Sequence, residues 1–455
     1  MHLHHVLEAR RPPRAAGLVL AAALIVAGSY ATTLFRSAPP AAGGASPAGE
    51  APTTVQIDAG AAPVDSVAQI DHSIEAWSKN LAANPHDFLA ATNVAVLYQG
   101  RGRLSYDLGD YQRSLDAVRT ALSIEPGHVP AMLAEASTLV SLHDFEAALA
   151  TADAVLNDHP TELAAVAVRF DAELELGRVD DARKDLSALT GAGGPAVLIR
   201  EARLASVTGE PARALDLATE ARSVAVADEG ESLGFYHYAV GEYARLAGDA
   251  SLARTAFASA LAERPDDIGA LLGLARIDAF EGRVDAAVDG LRRATRIAPQ
   301  PEALGLLGDL LITGDPADAE AAKAFDTIRF IERLGDIQAT TFDRQLLRFE
   351  MDHGGTDDAL LARIQASVQE RPDAAGHDLL AWTLYRLGRH AEASASIADA
   401  RSLGADDARL RFHDGAIRLA LGDREAGNVL LRQAGAAGPA LDPIERAELE
   451  TLLGG

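Results

Sequence analysis

The sequence predicts an all-α fold: a right-handed superhelical solenoid of about ten helix-turn-helix repeats, preceded by one N-terminal transmembrane or signal helix. Two observations carry the solenoid. A turn residue recurs at Gly109, His143, Gly177, Gly209, Gly248, Gly282, Gly314, Gly355, Gly388 and Gly422, at gaps of 34, 34, 32, 39, 34, 32, 41, 33 and 34. Five positions after each marker stand Ser114, Ala148, Ala182, Ala214, Ala253, Ala287, Ala319, Leu360, Ala393 and Gly427, seven of the ten being Ala. A period near 34 residues with a helix on each side of a turn describes stacked hairpins, each burying its apolar face on its neighbours. The third observation is local: Ala15 to Phe35 is a 21-residue run without a charge, bounded by Arg14 and Arg36.

In chain order, residues 1–14 read as a basic tail carrying Arg10, Arg11 and Arg14. The positive-inside bias keeps that end cytoplasmic and exports the rest. As a helix, residues 15–35 would span about 31 Å, close to the hydrocarbon thickness of a bilayer. That fits a retained signal-anchor. Ser29-Tyr30-Ala31 also offers a small-x-small cleavage site, so secretion after signal cleavage is the alternative. Residues 36–64, rich in Pro, Ala, Gly and Ser, read as a flexible linker. Residues 65–86 read as an N-terminal capping helix, 87–437 as the repeat array and 438–455 as a C-terminal capping helix. A terminal repeat has one neighbour rather than two, which is why caps are expected.

Composition narrows the partners. The chain has 41 Lys and Arg against 66 Asp and Glu, a formal charge of −25, and such a surface repels nucleic acid. Cysteine is absent, which excludes disulfides, thiol nucleophiles and Cys-ligated zinc.

The hairpins resemble the tetratricopeptide repeat family. The residues that carry the resemblance include Gly109-Asp110-Tyr111 through Ala121, Leu122 and Pro126, and Gly248-Asp249 through Ala253, Phe257, Ala260, Leu261 and Pro265. Gly282-Arg283-Val284 through Ala287, Leu291, Ala294 and Pro299 is a third copy. Seven residues before the turn the first helix is small at Ala136, Ala202, Gly241, Ala275, Ala381 and Gly415, where helices must approach closely. Phe170 and Arg348 depart from that rule, and the stretch from Gly314 to Gly355 holds about seven extra residues. The resemblance implies a concave groove that contacts peptides. The family's carboxylate-clamp variety uses Lys and Asn there; this stripe lacks the Asn and the chain has three Lys, so that activity is not implied.

Catalytic motifs are absent: there is no phosphate-binding Gly-rich loop, no His-Glu-x-x-His and no nucleophile elbow. Asp180-Asp181, Asp266-Asp267, Asp357-Asp358 and Asp406-Asp407 fall at expected helix starts, where a carboxylate caps backbone N–H groups. Four His-Asp dipeptides (at His86, His143, His377 and His413) are spread over different hairpins, so no metal site is expected, nor a cofactor.

Offsets of 13, 10, 6 and 3 before a turn place residues on one helical face. They give Phe235, Tyr238, Glu242 and Arg245 before Gly248, and Ala375, Asp378, Trp382 and Tyr385 before Gly388. They give Phe342, Gln345, Phe349 and Asp352 before Gly355, and Arg276 stands on the same stripe before Gly282. Phe235, Tyr238, Glu242, Arg245, Arg276, Phe342, Phe349, Asp378, Trp382 and Tyr385 are therefore the candidate partner groove. The competing reading is that these rings fill gaps between imperfect repeats. The expected function is a non-catalytic protein-interaction scaffold or adaptor on the outer side of a bacterial-type cytoplasmic membrane. A sensing module that binds a peptide or small solute is the alternative.

Overall fold

The computed structural model describes residues 67–226, 232–333 and 343–454. The tail, the uncharged run Ala15 to Phe35, the linker and the groove candidate Phe342 lie outside those residues. Among the described residues no helix is long and apolar enough to cross a membrane.

The described residues form helices and no strands, arranged as ten antiparallel hairpins from Phe88–Ser105 paired with Leu108–Ile124 to Ala408–Ala420 paired with Arg424–Ala436. A lone helix, Val67–Ala83, packs on the first hairpin, and a further helix, Pro443–Gly454, follows the last.

The repeat markers explain the turns. Eight of the ten (His143, Gly177, Gly209, Gly248, Gly282, Gly355, Gly388 and Gly422) have positive φ. This left-handed residue ends the first helix and lets the next N–H reach back five residues, as Arg178 N–H does to the Glu173 carbonyl at 2.8 Å. An Asp then often caps the second helix: Asp249 accepts from Leu252 N–H at 2.9 Å. Two markers are corrected. In the first hairpin Tyr106, with φ of 60°, holds the left-handed position, and Gly109 sits inside the second helix. Gly314 is the last residue of its helix and its φ is not positive.

The small residues mark helix contacts. Ala148, Ala182, Ala214, Ala253, Ala287 and Ala393 are fully buried. A Cβ on Gly241 would stand 2.7 Å from the Phe257 ring, so only glycine fits there. Ala319 is exposed and Ala321 takes the buried place, a register shift beside the irregular seventh hairpin.

The superhelix closes on itself. The Gly177 turn meets Pro372 and Asp373, the Gly209 turn meets Asp406, and the Gly248 turn meets Ala437. Each contact links a hairpin's turn to the loop that closes the hairpin five further on. Tyr106 Oη also accepts from Arg264 at 2.6 Å and from Ile268 N–H at 3.0 Å. Successive turns of the spiral therefore touch.

Candidate partner-binding groove

The C-terminal helix does more than cap the array. It packs on the last hairpin and on the first helices Ile268–Phe280, Pro301–Gly314 and Ala408–Ala420. Its side chains also reach Asp343–His353 and Ala374–Arg386. The preceding short turn, Gly438–Ala440, rests on Leu233–Leu246 and Ile268–Phe280. The segment from Gly438 onward thus lies along the concave face, against the first helices of six successive hairpins. Besides packing on the last hairpin, as an end cap does, the segment runs back along five earlier first helices, where Arg276, Arg348 and Arg386 offer it further charge partners.

Local sequence builds this helix. Asp442-Pro443-Ile444-Glu445 is a capping box with Pro in the first turn: Asp442 N–H donates to Glu445 Oε2 at 3.0 Å. Asp442, Glu445 and Glu448 recur at a spacing of three, which puts them on neighbouring positions of one helical face.

Arginines of the array meet that face. Arg276 reaches Asp442 at 3.0 Å, and Arg409 reaches Glu445 at 2.7 Å and Asp442 at 3.4 Å. Arg348 also pairs with Glu445, and Arg386 reaches Glu448 at 2.8 Å. Arg245 donates to the Pro439 and Ala440 carbonyls at 3.0 and 3.2 Å while paired to Glu242. Leu449, 2% exposed, joins the apolar cluster of Met351, Trp382 and Phe412.

The electrostatics follow from these pairs. Burial pushes the Glu445 carboxyl upward, but Arg409 and Arg348 outweigh it and hold it down to about 2. Burial likewise opposes the Asp442 carboxylate, yet Arg276, Arg409, Arg348 and Arg245 keep it well below its usual range. For Glu448 burial prevails over Arg386, and its carboxyl is raised.

The remaining candidates divide between groove and core. Tyr238 is 7% exposed, packs against Phe257 with ring centres 6.1 Å apart, and covers Gly269. Its phenol is pushed well above its ordinary value, chiefly by burial. Phe235 is half-buried against the same core, and Phe349 packs at a tilt against Phe325 and His353, with Arg329 over its ring. Trp382, 3% exposed, lies parallel to Tyr385 at 4.6 Å and to His413 at 4.1 Å, and Asp378 accepts from His413 at 2.7 Å. Glu242, Arg245 and Arg276 border the C-terminal segment, whereas Tyr238, Phe235 and Phe349 fill space between repeats.

The His413–Asp378 contact also corrects the expectation that the His-Asp dipeptides stay apart, because neighbouring first helices bring two of them together. Among the described residues there is still no group of three or more potential metal ligands. Of the paired aspartates, Asp267, Asp357 and Asp407 cap helices, and Asp180 and Asp181 occupy a first turn.

Sequence reasoning missed Arg348, Arg386, Arg409, Asp442, Glu445 and Glu448. A signal existed: Arg348 stands where close packing asks for a small residue, and the capping box opens a helix with an unpaired acidic face.

A tetratricopeptide repeat family model matches residues 105–169 and 244–310. The chain therefore carries tetratricopeptide repeats. No curated protein matches it. Among solved structures, a tetratricopeptide repeat protein from Parabacteroides merdae is 19% identical over 57% of this chain and 98% of its own, with a TM-score of 0.32. YrrB, described as a protein with an unusual peptide-binding site, is 18% identical over 41% of this chain and 96% of its own, at a TM-score of 0.28. Yeast Tom70 is 12% identical over 85% of this chain and 92% of its own, at a TM-score of 0.36.

Proposed function

We propose that this protein is a non-catalytic scaffold of a bacterial-type envelope that holds a protein or peptide segment along its concave face. The observation that carries the reading is that this face already holds a peptide segment, the chain's own residues from Gly438 onward. It does so with charge-assisted hydrogen bonds and two buried apolar anchors, Leu441 and Leu449, as peptide-binding grooves do. The net charge of −25 argues against nucleic acid as the partner. Residues 15–35 support a single-pass tether to the cytoplasmic membrane, with the repeats on its outer side; secretion after signal cleavage is the alternative.

The test is a photo-cross-linking side chain placed at Tyr385, half-buried on the groove stripe, or at exposed Leu252 on a second helix. Irradiated membranes should give a discrete protein adduct from position 385 and none from 252. Adducts from 252 alone would move the partner surface away from the groove. For topology, protease added outside the cytoplasm should digest the repeats; repeats protected until the membrane is opened would overturn the outward orientation.

A further inference from the structure

Resting on the reading that the concave face holds a partner, we propose that the segment from Gly438 onward is a built-in stand-in for that partner. The partner's bound element is then an acidic amphipathic helix with carboxylates spaced as Asp442, Glu445 and Glu448, followed by an apolar residue in the place of Leu449. The two compete for the groove, so the free protein is held in a self-occupied state.

The molecule as a whole is strongly acidic, yet Arg276, Arg348, Arg386 and Arg409 converge on this one helix. Arg276 and Arg348 are also paired with Glu302 and Asp352 of the array. The ion pairs of Arg386 and Arg409 among the described residues go to the segment, and that positive surplus favours an acidic ligand over a basic one. The spacing adds specificity, because the carboxylates meet arginines in order: Asp442 meets Arg276 and Arg409, Glu445 meets Arg409 and Arg348, and Glu448 meets Arg386. Leu441 and Leu449 supply the deep apolar contacts, in one cluster with Trp382 and Phe412.

The mode of attachment makes the segment displaceable. Its helix has 12 residues, of which only Glu445 and Leu449 are buried. A helix that short is marginal on its own and depends on docking. The array helices are instead held by apolar faces on both sides. An element attached by ion pairs and a few apolar side chains, chiefly Leu441 and Leu449, belongs to the low-stability end of a structure, from which moving parts are drawn.

The experiment uses the full chain in detergent micelles and a fluorescent synthetic peptide of residues 438–454. Its binding is followed by anisotropy for the wild type and for Asp442→Asn/Glu445→Gln. Neutral isosteres keep the shape of the segment and remove its charge. The variant should bind the charged peptide about tenfold more tightly than wild type, because the apparent affinity of an occupied groove is reduced by the fraction that is open. The peptide carrying the same two substitutions should bind neither protein. If the double variant melts well below wild type, Glu448→Gln at the rim replaces it and should shift affinity in the same direction. Equal affinity for the two proteins, or a variant that dimerises by exchanging C-terminal segments, overturns the proposal. A peptide that binds neither, with groove cross-links to a partner intact, discards the stand-in and keeps the groove. Loss of both discards the groove itself.

Discussion

Gly241 shows how one side chain sets the distance between two helices. Phe257 lies where a Cβ at position 241 would be, at 2.7 Å. Gly241→Ala should therefore overpack the contact and cost about 1–3 kcal/mol, read as a lower melting temperature. Tyr238→Ala should cost about 3 kcal/mol, since the ring is 7% exposed and fills the space above Gly269. Both sites were legible as special, but with different success. The small residue before the turn followed from the period. The role of Tyr238 did not, because helical offsets assign a face and cannot say whether the next repeat leaves that face open. A thermal melt of Tyr238→Ala with no loss of stability would contradict its placement in the core.

Among elements, the helix Pro443–Gly454 departs most from expectation. Its existence could be read from the capping box; its location could not. Arg276 and Asp442 are 166 residues apart, and Arg348 and Glu445 are 97 apart. A repeat period carries no information about contacts across the spiral. The docked helix should be sensitive to acid. Glu445 is held down to about 2, below its ordinary 4.5, and Asp442 is also depressed. A depressed carboxyl contributes stability above its unfolded pKa and loses it as the pH falls through the window toward the folded value. Hydrogen exchange of residues 443–454 should therefore accelerate relative to the array as the pH falls from about 4.5 toward about 2. Uniform acceleration across the chain would contradict ion-pair docking.

For the whole molecule, the repeats settle the architecture and the contacts between turns settle its shape. Ten hairpins were countable from the turn markers because a left-handed turn residue, present at eight of them, is a local requirement. The closure was not countable, since it depends on small rotations accumulated over five hairpins. Tyr106 is the clearest tie between turns, accepting from Arg264 and Ile268 N–H. Tyr106→Phe should lower stability by about 1 kcal/mol, the scale of a lost side-chain hydrogen bond. It should do so without changing helix content, which circular dichroism checks.

The central claim is that the concave face is a peptide-holding groove occupied by the chain's own C-terminal segment. Because the chain has no cysteine, Arg386→Cys/Glu448→Cys introduces one thiol on each side of a contact that now measures 2.8 Å. Joining them with a short bismaleimide in the full chain, then measuring partner adducts from the groove, tests the claim directly. Efficient intramolecular coupling is expected, with loss of partner adducts in the coupled protein and adducts retained in the uncoupled one. Failure to couple, or undiminished adducts after coupling, would contradict it.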